Sequence, residues 1–186
     1  MRNPSADGRF RTIYQANYEP IRSYCLRRLP VDDVNDVMAD VFLVMWRRIN
    51  DVPEGDAARL WLYGIARNCV ANSQRTTRRS RRLRAKLAAM PGEPSVSPEV
   101  VVVRNESADE ALLALETLKP LDQEMVQLRI WEELSSIEIG EVVGLKPTAV
   151  DMRLSRARKR LNQILSDDRT RFWSVRPHRM EGGESS

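Results

Sequence analysis

The sequence predicts an all-α fold of two small helical domains, and three observations carry that expectation. Apolar residues recur at helical spacing through most of the chain, glycine is sparse (8 of 186 residues), and alternating β patterns are hard to find. Met90 to Pro98 (MPGEPSVSP) gathers three prolines, a glycine and two serines, which is linker composition. Leu134 to Leu161 reads as two short helices joined by a tight turn. We expect a first domain at 9–86, a linker at 87–97, a second domain at 98–165, and a polar, Gly/Ser-ended tail at 166–186 that is disordered.

Met1 to Gly8 is expected to be a loose terminus. From about Arg9 to Leu29 the residues Phe10, Ile13, Tyr14, Tyr18, Ile21, Cys25 and Leu29 fall near one helical face. Pro20 interrupts that helix and is expected to kink or split it, and Pro30 ends it. Asp32 or Asp33 is expected to cap a second helix running to about Ile49. Its apolar residues are dense: Val34, Val37, Met38, Val41, Phe42, Val44, Met45 and Ile49. Asp36 and Asp40 are one turn apart, off that face.

Asn50 to Ala57 is a loop holding Pro53 and Gly55. A third helix starts near Ala58 and passes Arg75, with Leu60, Trp61, Leu62, Ile65, Cys69 and Val70 as its apolar residues. Arg67, Asn68, Asn72 and Arg75 share a broad polar face on it. The helix leads into Arg75–Lys86, which holds seven basic residues and no acidic one. After the linker, Ser97-Pro98-Glu99 has the order of an N-cap, a proline at the first helical position and a first-turn acid. A helix to about Leu118 follows, although the β-branched run Val100–Val103 also fits a strand. Pro120 starts another helix, with Leu121, Met125, Leu128 and Trp131 in its core pattern.

The last two helices carry the most information. Ser135 with Glu138 three residues on has capping-box spacing, and Ile137, Ile139, Val142 and Val143 are the helix's apolar residues. Gly144 suits the position past the helix end because it accepts positive φ without a Cβ clash. Leu145 plugs the corner, and Pro147 suits the first turn of the next helix. There Val150, Leu154, Ala157 and Leu161 form one buried stripe. Five of the eight residues from Arg153 to Arg160 are basic. A helix with one buried stripe and a cationic outer face can lie in a DNA major groove, its first turns near base edges and its later arginines on phosphates. A solvated surface helix has the same charge pattern. The capped helix and Gly-Leu turn before it favour the DNA reader.

Lys+Arg exceed Asp+Glu by four (30 against 26), and the pI is about 9.4. Cys25 and Cys69 lie in apolar helical contexts and are expected to be reduced core thiols of a soluble, cytoplasmic protein. One histidine, His178, and two scattered cysteines do not make zinc-ligand spacing, so no metal or cofactor is expected. No signal peptide or membrane-spanning apolar run stands out. Carboxylates clustered with His or Lys are missing, which argues against an enzyme and leaves no catalytic residue to name.

Several stretches together resemble the bacterial RNA polymerase sigma factors, and most closely the two-domain extracytoplasmic-function (ECF) group. DDVNDVMADVFLVMWRRI looks like that family's region 2.2, ARLWLYGIARNCVANSQRTTRRSRR is similar to regions 2.3 and 2.4, and LETLKPLDQEMVQLRIWEELSSIEIGEVVGLKPTAVDMRLSRARKRL looks like region 4. The match spans roughly 9–165. It implies a sigma factor without catalysis of its own, partnered by core RNA polymerase (the clamp of the largest subunit and the flap of the second-largest), by promoter DNA and by a regulating anti-sigma factor.

By the same resemblance, Asp33, Asp36 and Asp40 bind polymerase, a role that an ordinary solvated helix face competes with. Trp61 and the loop around Asp51 serve the unstacked base of the −10 element, although a tryptophan in an all-α domain is also a natural core residue. Arg67, Asn68, Asn72 and Arg75 match the −10 reading face. Arg78, Arg79, Arg81, Arg82 and Arg84 add salt-sensitive attraction. Lys146, Thr148, Asp151, Met152, Arg153, Ser155, Arg156 and Lys159 match the −35 reading surface. This chain departs from the family at Asp151-Met152, where a basic residue and a serine are common, and at Lys146, where Ser or Pro is common. An aspartate can accept from a cytosine amino group, so an unusual −35 preference is expected, altered when the Asp151 charge is removed. Two alternatives stand beside this: a stand-alone helix-turn-helix regulator, and a tail that inhibits or tethers through Phe172, Trp173 and His178.

Overall fold

The computed structural model describes residues 4–88 and 112–165, and every regular element among them is helical. The chain divides into two compact units. The first contains α1 (Pro4–Leu26), α2 (Val31–Arg47), a 3₁₀ turn (Ile49–Asp51) and α3 (Ala57–Ala88). The second contains α4 (Pro120–Trp131), α6 (Pro147–Ile164) and residues 136–140 of α5 (Ser136–Val143), after helical residues 112–116. α3 runs through Ala88, two residues into the expected 87–97 linker, because the basic run continues its helix. The rest of that linker (89–97), the expected Ser97 cap, the Val100–Val103 ambiguity and the tail lie outside the described residues.

α1 departs from expectation at both ends and in its middle. It begins at Pro4 rather than near Arg9, and it runs unbroken through Pro20. A proline in a helix interior costs about 3 kcal/mol. Just past it, Ile21, Tyr24 and Cys25 are fully buried, and each large apolar side chain contributes about 1.5–3 kcal/mol. Burial therefore outweighs the lost hydrogen bond. α2 begins at Val31 with Pro30 at the cap position and no side-chain cap. Asp32 and Asp33 occupy its first turn instead, where carboxylates meet the positive end of the helix dipole.

An aromatic ladder joins α1 to α2. Tyr14 meets Phe42 with ring centroids 4.5 Å apart, and Phe10 meets Trp46 edge-on at 5.2 Å. Val34, Val37, Met38, Val41, Phe42 and Met45 are the buried face of α2, and Leu62, Tyr63, Ala66 and Val70 that of α3. Gln74 Nε2 donates to the Arg28 carbonyl (3.0 Å), tying α3 to the end of the α1 region.

In the second unit Met125 and Leu128 of α4 and Val150, Leu154, Ala157 and Leu161 of α6 are buried as the spacing predicts. Ser135 closes α5 as a reciprocal capping box. Its Oγ accepts from the Glu138 N–H (3.2 Å), and its own N–H donates to Glu138 Oε2 (2.7 Å). Gly144 has φ +73°, the left-handed conformation the turn requires. Pro147 sits at the start of α6, after Lys146. Of the other apolar residues expected in this unit, Leu121, Trp131 and Val143 are half-buried, and Ile137 is 63% exposed.

Candidate nucleic-acid interface

Asp36 and Asp40 are exposed on α2, and Asp33 is half-buried in its first turn. Leu43 and Trp46, also on α2, are exposed large apolar residues. α2 thus presents carboxylates beside apolar surface, a combination suited to a basic protein partner.

α3 places Trp61, Asn68, Asn72, Arg75 and Arg79 along one stripe. Their spacings of seven, four, three and four residues return each to nearly the same side of a 3.6-residue helix. The stripe lies opposite the buried Leu62, Tyr63, Ala66 and Val70. Arg67 falls about 100° away from Asn68 and is half-buried, so it flanks the stripe. Arg78 and Arg82 are exposed on the same helix. Trp61 is neither fully core nor free. It is half-buried, and the Arg48 guanidinium lies 5.5 Å from its ring centroid. Arg48 also pairs with Asp51 at 2.9 Å. Asp51 and Trp61, separated in sequence, are therefore joined through one arginine at an exposed corner.

Next to that corner is a groove of about 570 Å³ between the first half of α1 and the loop before α3. Thr12, Ile13, Ala16 and Asn17 line one side, and Pro53, Glu54, Gly55 and Asp56 the other. Arg9 also lines it and donates to the Val52 carbonyl, which holds the loop against α1. The groove thus carries both charge signs together with the apolar Ile13, Ala16 and Pro53.

In the second unit Thr148, Met152, Ser155, Arg156 and Lys159 are exposed on the side of α6 away from its buried stripe, and Lys146 is exposed just before it. Asp151 and Arg153 have partners within the protein. Ser136 Oγ donates to Asp151 Oδ1 and accepts from Arg129 Nη2. Arg153 Nη1 bonds Asp122 Oδ1 of α4 at 2.8 Å. Burial lowers the Arg129 pKa from its ordinary value, and the Asp151 and Glu138 carboxylates oppose that shift. The α5–α6 turn is tight. Leu145 N–H donates to the Gly140 carbonyl at 2.9 Å, and a Cβ on Gly140 would lie 2.5 Å from the Leu145 carbonyl oxygen.

The family model described as "Sigma-70 region 2" matches residues 13–80, and that described as "Sigma-70, region 4" matches 108–161. The RNA polymerase sigma factor CnrH of Cupriavidus metallidurans is 29% identical over 151 residues, covering 75% of this chain and 77% of CnrH. The ECF RNA polymerase sigma factor BldN of Streptomyces coelicolor is 32% identical over 134 residues, 72% of this chain and 51% of BldN. The chain belongs to the ECF sigma factors. The solved structure of the sigma factor RpoE in complex with the anti-sigma factor NepR, from Bartonella quintana, shares the fold. Its TM-score is 0.58 at 20% identity, covering 86% of this chain and 98% of that one.

In this sigma factor the region 2 match begins inside α1 and ends within α3, so it takes in the acidic face, the polar stripe and the groove apart from Arg9 and Thr12. That match answers the stand-alone regulator alternative, which needs a sensor or dimerisation module in the same place. Sequence reasoning missed Arg9, Arg48, Asp122, Arg129 and Ser136. Each acts through a contact between separate segments. The separation from Arg9 to Val52 is 43 residues and from Arg153 to Asp122 31 residues, beyond any local pattern.

Proposed function

We propose that this sigma factor binds core RNA polymerase through the exposed carboxylates and apolar residues of α2, and reads a promoter with α3 and α6. Domain limits of 9–86 and 98–165 serve this division of labour. The observation that carries it is the stripe of Trp61, Asn68, Asn72, Arg75 and Arg79, set opposite the core of α3 beside a groove. Opening a duplex needs a surface for an unstacked base and cations for the backbone. Trp61 with Arg48 offers a stacking face, and the groove lined by Arg9 and Glu54 to Asp56 offers a recess for an extruded base. Asn68 and Asn72 have both donors and acceptors for base edges, and Arg75 and Arg79 neutralise phosphates. α6 reads the −35 element from Thr148, Met152, Ser155, Arg156 and Lys159, with Lys146 at its entrance.

Such a subunit lends specificity and performs no bond chemistry of its own. Its reduced thiols fit a cytoplasmic setting. An anti-sigma factor is the regulator we expect, covering the polymerase-binding faces.

Run-off transcription on fragmented genomic DNA tests this, with purified core polymerase in the presence and absence of the protein. Discrete new start sites are expected, and they should vanish for Asp36→Arg/Asp40→Arg while the variant's melting temperature stays unchanged. New starts that persist in that variant would remove α2 from the polymerase contact. No new starts with the parent chain would sink the promoter-recognition role.

A further inference from the structure

Resting on the reading of α6 as the −35 reader, we propose that Met152 is a specificity-determining residue that selects a thymine through its 5-methyl group. Three neighbouring residues divide the work. Consecutive residues of a helix stand about 100° apart. Val150 is fully buried, so Met152, two residues on, points away from the core, and it is 57% exposed. Asp151 and Arg153 fall to either side of it, and both are engaged. Asp151 accepts from Ser136 of α5, and Arg153 bonds Asp122 of α4. The two charges that flank Met152 therefore hold α6 against its neighbours, while the thioether is presented outward between them.

What Met152 can recognise follows from its chemistry. It has no donor to offer guanine and no donor-acceptor pair for adenine. Facing a polar base edge, it would strip water from that edge without replacing the hydrogen bonds. The thymine methyl is the one apolar feature of the major-groove edges, and an apolar side chain against it is a recognised match. Methionine's unbranched, polarizable chain adapts to such a contact without close shape constraint. Asp151 is then a positioning residue. Its carboxylate fixes the start of α6 through Ser136, and Arg129 supplies the same hydroxyl with a second partner.

The test uses the full chain assembled with core polymerase. The preferred −35 sequence is first selected from promoters randomised in that region. Each thymine in it is then replaced by deoxyuridine, which removes only the methyl group. At one position the parent holoenzyme should lose about fourfold in open-complex formation, the transfer free energy of one buried methyl. Met152→Ala should show no such loss, and Met152→Leu should keep it. Met152→Gln should move the preference at that position toward adenine. Because the side chain is exposed, these variants should melt with the parent, which separates recognition from folding. A selected element without a thymine preference, or an equal deoxyuridine effect in the parent and Met152→Ala, would overturn the proposal. Failure to select any −35 sequence would overturn the role of α6 itself, a different result from the same experiment.

Discussion

Ser135 contributes to the fold through one hydroxyl, which satisfies an N–H at the start of α5 that no carbonyl can reach. Replacing such a cap by alanine costs about 1 kcal/mol. Ser135→Ala should lower the unfolding free energy by that amount, seen as a lower urea midpoint at an unchanged slope, and Ser135→Asp should recover most of it. Cys25 tests burial in another way. Its thiol has no exposed surface, and burial pushes its pKa from 9.0 up to about 11. Between those values the folded chain keeps a proton that the unfolded chain has released. The stabilisation is complete below pH 9 and is lost as pH rises toward 11, by at most about 3 kcal/mol. Stability measured across that window should fall less steeply for Cys25→Ala than for the parent. Equal slopes would mean that the thiol ionises alike in both states.

At the scale of the element, the proposed role of α3 combines two kinds of contact that one experiment separates. Each phosphate neutralised by an arginine adds about 0.9 to the slope of log affinity against log salt. Arg75→Ala and Arg79→Ala should each reduce the holoenzyme's promoter-binding slope by about that amount, with base preference kept. Asn72→Ala should leave the slope alone and relax preference at one −10 position. A reversed pattern would exchange the roles of these residues. The parts of this architecture legible in the sequence were those set within one or two turns. The Ser135–Glu138 cap, Gly144 at positive φ, Pro147 at the start of α6 and its buried stripe all depend on neighbours a few residues away. The start of α1 and its passage through Pro20 depend instead on how much surface Ile21, Tyr24 and Cys25 bury, which local rules do not weigh. The face of α6 was legible as a set of residues. Which of them pair within the protein was not, because Ser136 and Asp122, the partners of the exposed Asp151 and the half-buried Arg153, come from other helices.

At the scale of the whole molecule, the proposed division of labour engages two reading surfaces at once, and the linker expected at 87–97 would set what joining them costs. A connector converts the second contact into an intramolecular one, with an effective concentration that depends on its length. The cost of lengthening is small, about 0.6 kcal/mol for each doubling. Inserting ten Gly/Ser residues after Pro94 roughly doubles this eleven-residue segment. Promoter affinity of the holoenzyme should then fall by only about threefold, with the −10 and −35 preferences intact. The net charge of +4 is unaltered by such an insertion, so non-specific attraction to DNA serves as the internal control. If the insertion cost a hundredfold with that control unchanged, 87–97 would be more than a tether. Its own side chains would have to be held by polymerase or promoter, and the specificity assigned to α3 and α6 would be shared with a third surface.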